Sequence, residues 1–277
     1  MKRKGNTLVS MAIAIVIMNC NAFGQIKEPK RVKLDTMDTV SLRSLPHNAF
    51  RAGEFLRYRL HYGFVDAGEA TIEVEKSKKI KGREVLHVIG KGRTLGAFNW
   101  FFKVNDRYET YLDEQGVFPW KFVRRVHEGN YKKSQDYFFH QDRSTVDNGA
   151  GKNFEIPMGV QDMISSFYYA RTLNFEDLEI DDVMAIETFV DDELFTLNVQ
   201  YKGKENIKLR AGEFRCMKFV PVVQEGRIFE KADDMQVWIT DDENRIPILA
   251  KAKILVGSIK MEVVEYSGLS NEIAKID

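Results

Sequence analysis

The chain has two cysteines, six prolines and five histidines in 277 residues, and its 41 basic and 41 acidic side chains leave a formal net charge of +0. Each shortage closes a class of explanation. With only Cys20 and Cys216, a disulfide framework cannot stand in for a packed core. The charge balance argues against capture of nucleic acid, which needs a clustered basic surface to displace counterions. Beyond the N-terminal leader no run approaches the ~18 apolar residues of a membrane-spanning helix, so no transmembrane segment is expected once that leader is removed.

Signatures of chemistry are missing as well. There is no GxSxG elbow, GxGxxG, P-loop or HExxH. His47, His61, His87, His127 and His140 stand singly, whereas structural zinc sites draw on close pairs of Cys or His. Acidic pairs at Asp191–Asp192, Asp233–Asp234 and Asp241–Glu243 fall where turns are expected, and Asp favours turns because its carboxylate accepts nearby amides. The string at Asp241 lacks the glycine at position six and the glutamate at position twelve of a calcium loop. No catalytic residue, metal ligand or cofactor is assigned, and the reading leans away from an enzyme.

What the sequence does contain begins at its N-terminus. Lys2, Arg3 and Lys4 precede an apolar run from Leu8 to Met18, and small residues follow at Ala22 and Gly24. These are the parts of a secretory signal peptide over residues 1–24, with Gln25 as the first mature residue and a periplasmic or secreted destination. A rival is a lipid anchor on Cys20, but Asn19 stands where a lipobox carries Gly or Ala. Residues 25–48 lack apolar periodicity and read as a flexible lead.

From Phe50 the pattern changes to period two. Leu56, Tyr58, Leu60 and Tyr62 alternate with Arg57, Arg59 and His61, and Ala70, Ile72 and Val74 with Thr71 and Glu73, which predicts a hairpin with one buried face. Further strands are predicted near 83–91, 107–113, 119–127, 131–140, 183–190, 194–203, 214–223, 234–240, 246–256 and 258–266. One long helix is predicted, Val160–Leu173, whose Val160, Met163, Ile164, Phe167 and Ala170 share a face. Two segments, 111–129 and 239–257, align at an offset of 128, with Asp113 on Asp241, Pro119 on Pro247 and Gly129 on Gly257. The expected fold is therefore mainly β and antiparallel: two similar curved sheets or a split barrel with one helix between the halves. The β domain spans 49–268, its halves about 49–148 and 183–268, joined by a helical segment at 157–175, with a tail at 269–277.

Aromatics crowd the stretch 98–139. A packed core is one use for them. The other is an apolar surface for a lipid or similar amphipathic ligand, with Phe98, Trp100, Phe101, Phe102, Arg107, Tyr108, Trp120 and Phe122 as candidate binding residues. Arg107 can grip an anionic head group or pair internally with Asp106 or Glu109. The expected partner is a lipid or another envelope protein.

Five segments, GEFLRYRLHYGFVDAGEATIEVE (53–75), FKVNDRYETYLDEQGVFPWKFVRRVHEG (102–129), DMISSFYYART (162–172), AGEF (211–214) and VWITDDENRIPILAKAKILVGSI (237–259), carry a family resemblance. In that order and spacing the chain resembles domain of unknown function 3108, a family of exported bacterial envelope proteins. The resemblance implies an exported, largely antiparallel β protein and brings no catalytic residues. Where the family has a Gly-Asp turn after the helix, this chain has Ile180-Asp181-Asp182.

Overall fold

The computed structural model describes residues 42–221, 234–253 and 257–276. The leader, Cys20, most of the lead and residues 254–256 of an expected strand lie outside them. Antiparallel strands build the fold. In the first half they are β1 (Phe55–Tyr62), β2 (Val65–Lys76), β3 (Val85–Thr94), β4 (Asn105–Asp113), β5 (Pro119–Glu128), β6 (Tyr131–His140), β7 (Thr145–Asp147) and β8 (Asn153–Glu155). In the second they are β9 (Val183–Val190), β10 (Glu193–Leu209), β11 (Gly212–Pro221), β12 (Met235–Thr240), β13 (Pro247–Lys253), β14 (Ser258–Ser267) and β15 (Lys275–Ile276).

Each half is a meander, and the two are one sheet. The order runs β8 to β1 and then β14 to β9, with β15 beside β11. The junction is β1 on β14, from Phe55 opposite Ser267 to Tyr62 opposite Ile259. The mainly antiparallel architecture expected from the alternations is thus what the chain adopts, as a continuous sheet that is not closed into a barrel. Alternation explains the register: Leu56, Tyr58 and Leu60 of β1 are buried while Arg57 and Arg59 face outward to Glu69 and Glu265.

Among the described residues two large hydrophobic cores result, with a small third cluster of Val85, Phe118 and Trp120. One is built on Phe50, Val74, Val88, Tyr108, Phe122, Tyr137 and Phe189. The other joins β1 to the second half through Leu56, Tyr58, Phe214, Phe219, Trp238 and Ile248. Phe167 packs against both.

The helix carrying Phe167 is shorter than predicted. Among the described residues there are two short α-helices, α1 (Phe98–Phe101) and α2 (Ser165–Ala170), and α2 replaces the expected Val160–Leu173. Ahead of it the backbone of Gln161 makes a parallel bridge to Thr188 of β9. The Asp162 carboxylate then accepts the amides of Ile164 (2.7 Å) and Ser165 (2.8 Å), so the turn begins only there. Val160, Met163 and Ile164 are buried, as a helical face would have them, but from an extended and turning chain.

The seam between the halves is held by polar contacts. The β9–β10 turn has Asp191 and Asp192 at φ of 55° and 65°, the conformation a type I′ hairpin requires and Asp tolerates. From there Asp191 accepts from Arg124 (3.0 Å) and Lys133, and Asp192 from Tyr137 Oη (2.9 Å) and Asn148 (3.0 Å).

The turns at the two aligned segments share an architecture. Asp113 Oδ1 accepts the amides of Gln115 (3.1 Å) and Gly116 (2.6 Å), and Asp242 Oδ1 those of Asn244 (2.8 Å) and Arg245 (3.0 Å). Val117 and Arg245 both have φ of 49° and stand two residues before Pro119 and Pro247. The capping role thus falls to Asp242 rather than Asp241, because the second turn is one residue shorter between its cap and its left-handed residue.

Both ends of the described residues also pack. Arg43 donates to the carbonyls of Gly116 (2.8 Å) and Val117 (2.6 Å), and residues 275–276 pair with β11.

Candidate functional site

A half-open cavity of about 100 Å³ lies between α2 and the second meander. Four neighbouring strands each give it two side chains spaced two apart: Met184 and Ile186, Leu197 and Val199, Phe219 and Pro221, Val237 and Ile239. Spacing of two puts both members on one face of a strand. The registers then line the pairs up, with Ile186 opposite Leu197, Met184 opposite Val199, Val199 opposite Pro221 and Phe219 opposite Val237. The helix supplies the roof through Phe167 and Ala170, and Ala170, being small, leaves space over the sheet.

Two arginines stand at the cavity, and they differ. Arg171 is buried and fully engaged. Its Nη1 and Nη2 donate to the two Glu54 carboxylate oxygens (2.7 Å each), Nη2 also to the Ala49 carbonyl (2.8 Å) and Nε to the Asn244 carbonyl (2.8 Å). Tyr168 Oη donates to the same carboxylate at 3.2 Å, and Phe50, Phe167 and Tyr168 surround the guanidinium. Burial alone would depress the guanidinium, but the charge and hydrogen bonds of Glu54 outweigh it and raise the pKa.

Arg245 is only partly buried. Its Nη1 donates to the carbonyls of Arg171 (2.9 Å) and Leu173 (2.7 Å), and its guanidinium sits over the Phe175 ring at 4.8 Å. No hydrogen bond to a described residue engages Nε or Nη2. Burial lowers its pKa, partly offset by Glu243, Asp242 and Glu176. Guanidinium groups do not exchange protons at working pH. The cavity lining therefore offers apolar contact and hydrogen-bond donation, without an acid–base pair.

The eight candidate binding residues fall elsewhere and do not all converge on one place. Tyr108 and Phe122 are buried in the first core. Trp120 packs with Val85 and Phe118, its Nε1 donating to Asp113 at 3.1 Å. Arg107 pairs with Glu109 (2.6 Å), which also bonds His87 (2.6 Å). Phe98 and Phe102 are half-buried, and Trp100 and Phe101 are exposed. None of the eight lines the cavity. The signal that could have found its walls was the period-two spacing in four neighbouring strands.

Residues 57–264 match the family model of DUF3108, proteins of unknown function. The chain belongs to that family. No curated protein matches it. Among solved structures, the DUF3108 chain is similar to a β-barrel-like protein of DUF1849 from Brucella abortus, with a TM-score of 0.50, 9% identity, and coverage of 82% of this chain and 98% of that one. It also matches a candidate lipoprotein of Parabacteroides distasonis (TM-score 0.33, 9% identity, 82% and 100% covered). A candidate exported protein of Bacteroides fragilis with a YmcC-like fold matches too (TM-score 0.34, 8% identity, 82% and 100% covered). At such identities the Brucella likeness concerns the fold alone. Asp181, at φ of 74°, adopts the left-handed conformation that glycine takes freely and Asp tolerates.

Proposed function

We propose that this DUF3108 protein is an exported, non-enzymatic envelope protein that takes the apolar end of an amphipathic ligand, such as a lipid, into the cavity beneath α2. The observation that carries this reading is the cavity wall: four strand pairs and a helix give it carbon almost throughout, with the Arg245 donors at hand. About 100 Å³ is below the ~300 Å³ of typical small-molecule pockets, which suits the end of a chain rather than a whole molecule. Each methylene removed from water contributes ~0.8 kcal/mol, and association costs are at least of the same size as a short insertion yields. Affinity then depends on oxygen atoms of the head group accepting from Arg245. Export rests on the leader: N-terminal sequencing of protein from the envelope fraction is expected to begin at Gln25.

The test is a filled cavity. Ala170→Phe puts a ring where the lining has a methyl group. A fluorescent fatty-acid probe should bind the wild type saturably and the variant at least about tenfold more weakly, with Arg245→Gln intermediate. Equal binding by wild type and Ala170→Phe, or none by the wild type at ~100 μM, refutes the cavity as a ligand site. The second reading, an envelope assembly module without a small ligand, would then stand. It is favoured by the full burial of Tyr108, Phe122, Tyr137 and Phe139 in the first core.

A further inference from the structure

One end of the sheet carries large apolar side chains that no described residue covers. Phe64, in the β1–β2 turn, is 106% exposed relative to a free residue, and Trp100 and Phe101 of α1 are 91% and 86% exposed. These belong to neighbouring loops. Leu95 N donates to the Ala67 carbonyl at 2.9 Å, and the rings of Tyr62 and Phe98 meet at 6.1 Å. The β5–β6 turn joins the same edge: Gly129 N donates to the Lys103 carbonyl at 2.8 Å, and a Cβ on Gly129 would lie 3.2 Å from the Phe102 ring. Val65 and Tyr131, flanking the two turns, are exposed as well.

Charge at this edge has one sign to spare. The acidic groups near it are engaged: Asp66 bonds His61 Nδ1 at 2.9 Å, Glu69 bonds Arg93 at 2.9 Å, Glu262 takes His61 and Lys260, and Glu128 is buried. Lys103 and Lys132 are exposed and form no ion pair with any described residue. An aromatic cluster of this kind on a monomeric soluble protein marks an interaction surface. Tryptophan and phenylalanine with interspersed lysines match the interface of an anionic bilayer, where rings sit among head groups and each lysine near the surface adds attraction.

We infer that this edge, formed by the tips of the β1–β2 turn, α1 and the β5–β6 turn, docks the protein on the surface of an anionic lipid membrane. The docking is peripheral: no helix of the described residues is long and apolar enough to cross a bilayer. It goes beyond the cavity reading and does not depend on it, because none of these residues lines the cavity.

The test is sedimentation of the processed, exported protein with vesicles of phosphatidylcholine alone or containing 30 mol% phosphatidylglycerol, about the anionic share at which surface attraction matters. Binding is expected for the anionic vesicles and to weaken with salt. Phe64→Ser/Trp100→Ser/Phe101→Ser should reduce the partition coefficient at least about tenfold. Lys103→Glu/Lys132→Glu should reduce it by a similar factor on anionic vesicles only, at about fivefold per lysine removed. All five positions are exposed, so the unfolding midpoint should not move, which separates loss of docking from loss of fold. Ala170→Phe should bind vesicles as the wild type does, so the cavity and the edge fail independently. No vesicle binding by the wild type overturns the inference. So does binding that the triple variant retains, or self-association of the wild type that the triple variant abolishes, since a second copy would then be the occupant.

Discussion

The Arg171–Glu54 pair permits a quantitative prediction, because both groups are buried and, among the described residues, each forms an ion pair only with the other. The guanidinium makes four hydrogen bonds of 2.7–2.8 Å, two of them to Glu54. Replacing Arg171 by Met keeps an unbranched apolar stem and leaves the Glu54 carboxylate buried with the Tyr168 hydroxyl as its remaining side-chain donor among the described residues. Breaking a buried pair from one side costs about 3–5 kcal/mol, since the remaining charge loses its compensation. It also leaves the Ala49 and Asn244 carbonyls without their donor, which acts in the same direction. For a domain of this size, about 2–4 °C per kcal/mol, the melting temperature should fall by roughly 10 °C.

Glu54→Leu should cost about as much, from the other side. The double variant Glu54→Leu/Arg171→Met should cost far less than the sum, because no charge remains buried. Urea unfolding followed by circular dichroism gives the three free energies, and their cycle gives the coupling. A coupling below about 0.5 kcal/mol, or an Arg171→Met cost below about 1 kcal/mol, would refute the reasoning and mean that water reaches the pair.

Three further outcomes are expected. Burial raises the pKa of Asp162 from 3.8 to about 6, against the hydrogen bonds of Thr110, Ile164 and Ser165, so its folded pKa lies above its unfolded one. The protonated form is therefore the stabilising one: this contribution is complete below pH ~4 and lost as pH rises through about 6, about 3 kcal/mol in all, and Asp162→Asn should gain on the wild type by that amount between pH 4 and 7 in urea titrations. Burial pushes the Cys216 thiol up to about 12, so Ellman's reagent should find it unreactive in the folded protein and reactive in urea. Arg107→Ala should change stability by less than about 1 kcal/mol, because its pair with Glu109 is 40% exposed on the arginine side; cooperative unfolding at neutral pH would contradict this.

The strands were legible because half-buried strands announce themselves at period two, as β1, β2 and β9 do. The misses have physical causes. Strands β7, β8 and β15 have only two or three residues each, too few for any period. β10 continues to Leu209 past the expected 203 because an irregularity between Tyr201 and Lys204, with Gly203 at φ of 97°, keeps it paired to β11. The helix was over-read because the same apolar spacing serves a buried turn once Gln161 pairs with β9 and Asp162 captures the first amides. For the site, aromatic density indicated the first core rather than an opening, since rings fill interiors more readily than they line gaps. The cavity left a weaker trace: ordinary Met, Ile, Leu and Val at period two, which read the same whether a helix packs close against them or is held away.

The Arg171 anchor ties the end of α2 to the start of β1 and to the β12–β13 turn. An apolar gap under a free helix would tend to close, because its lining forfeits dispersion contacts. The helix cannot descend without breaking the bonds of Arg171 to Glu54 at the start of β1, to the Ala49 carbonyl and to the Asn244 carbonyl in the β12–β13 turn. If the same pair keeps the cavity open, Glu54→Leu/Arg171→Met should recover most of the stability and still lose affinity for the fatty-acid probe. If that double variant binds the probe as tightly as the wild type, the anchor does not hold the cavity open.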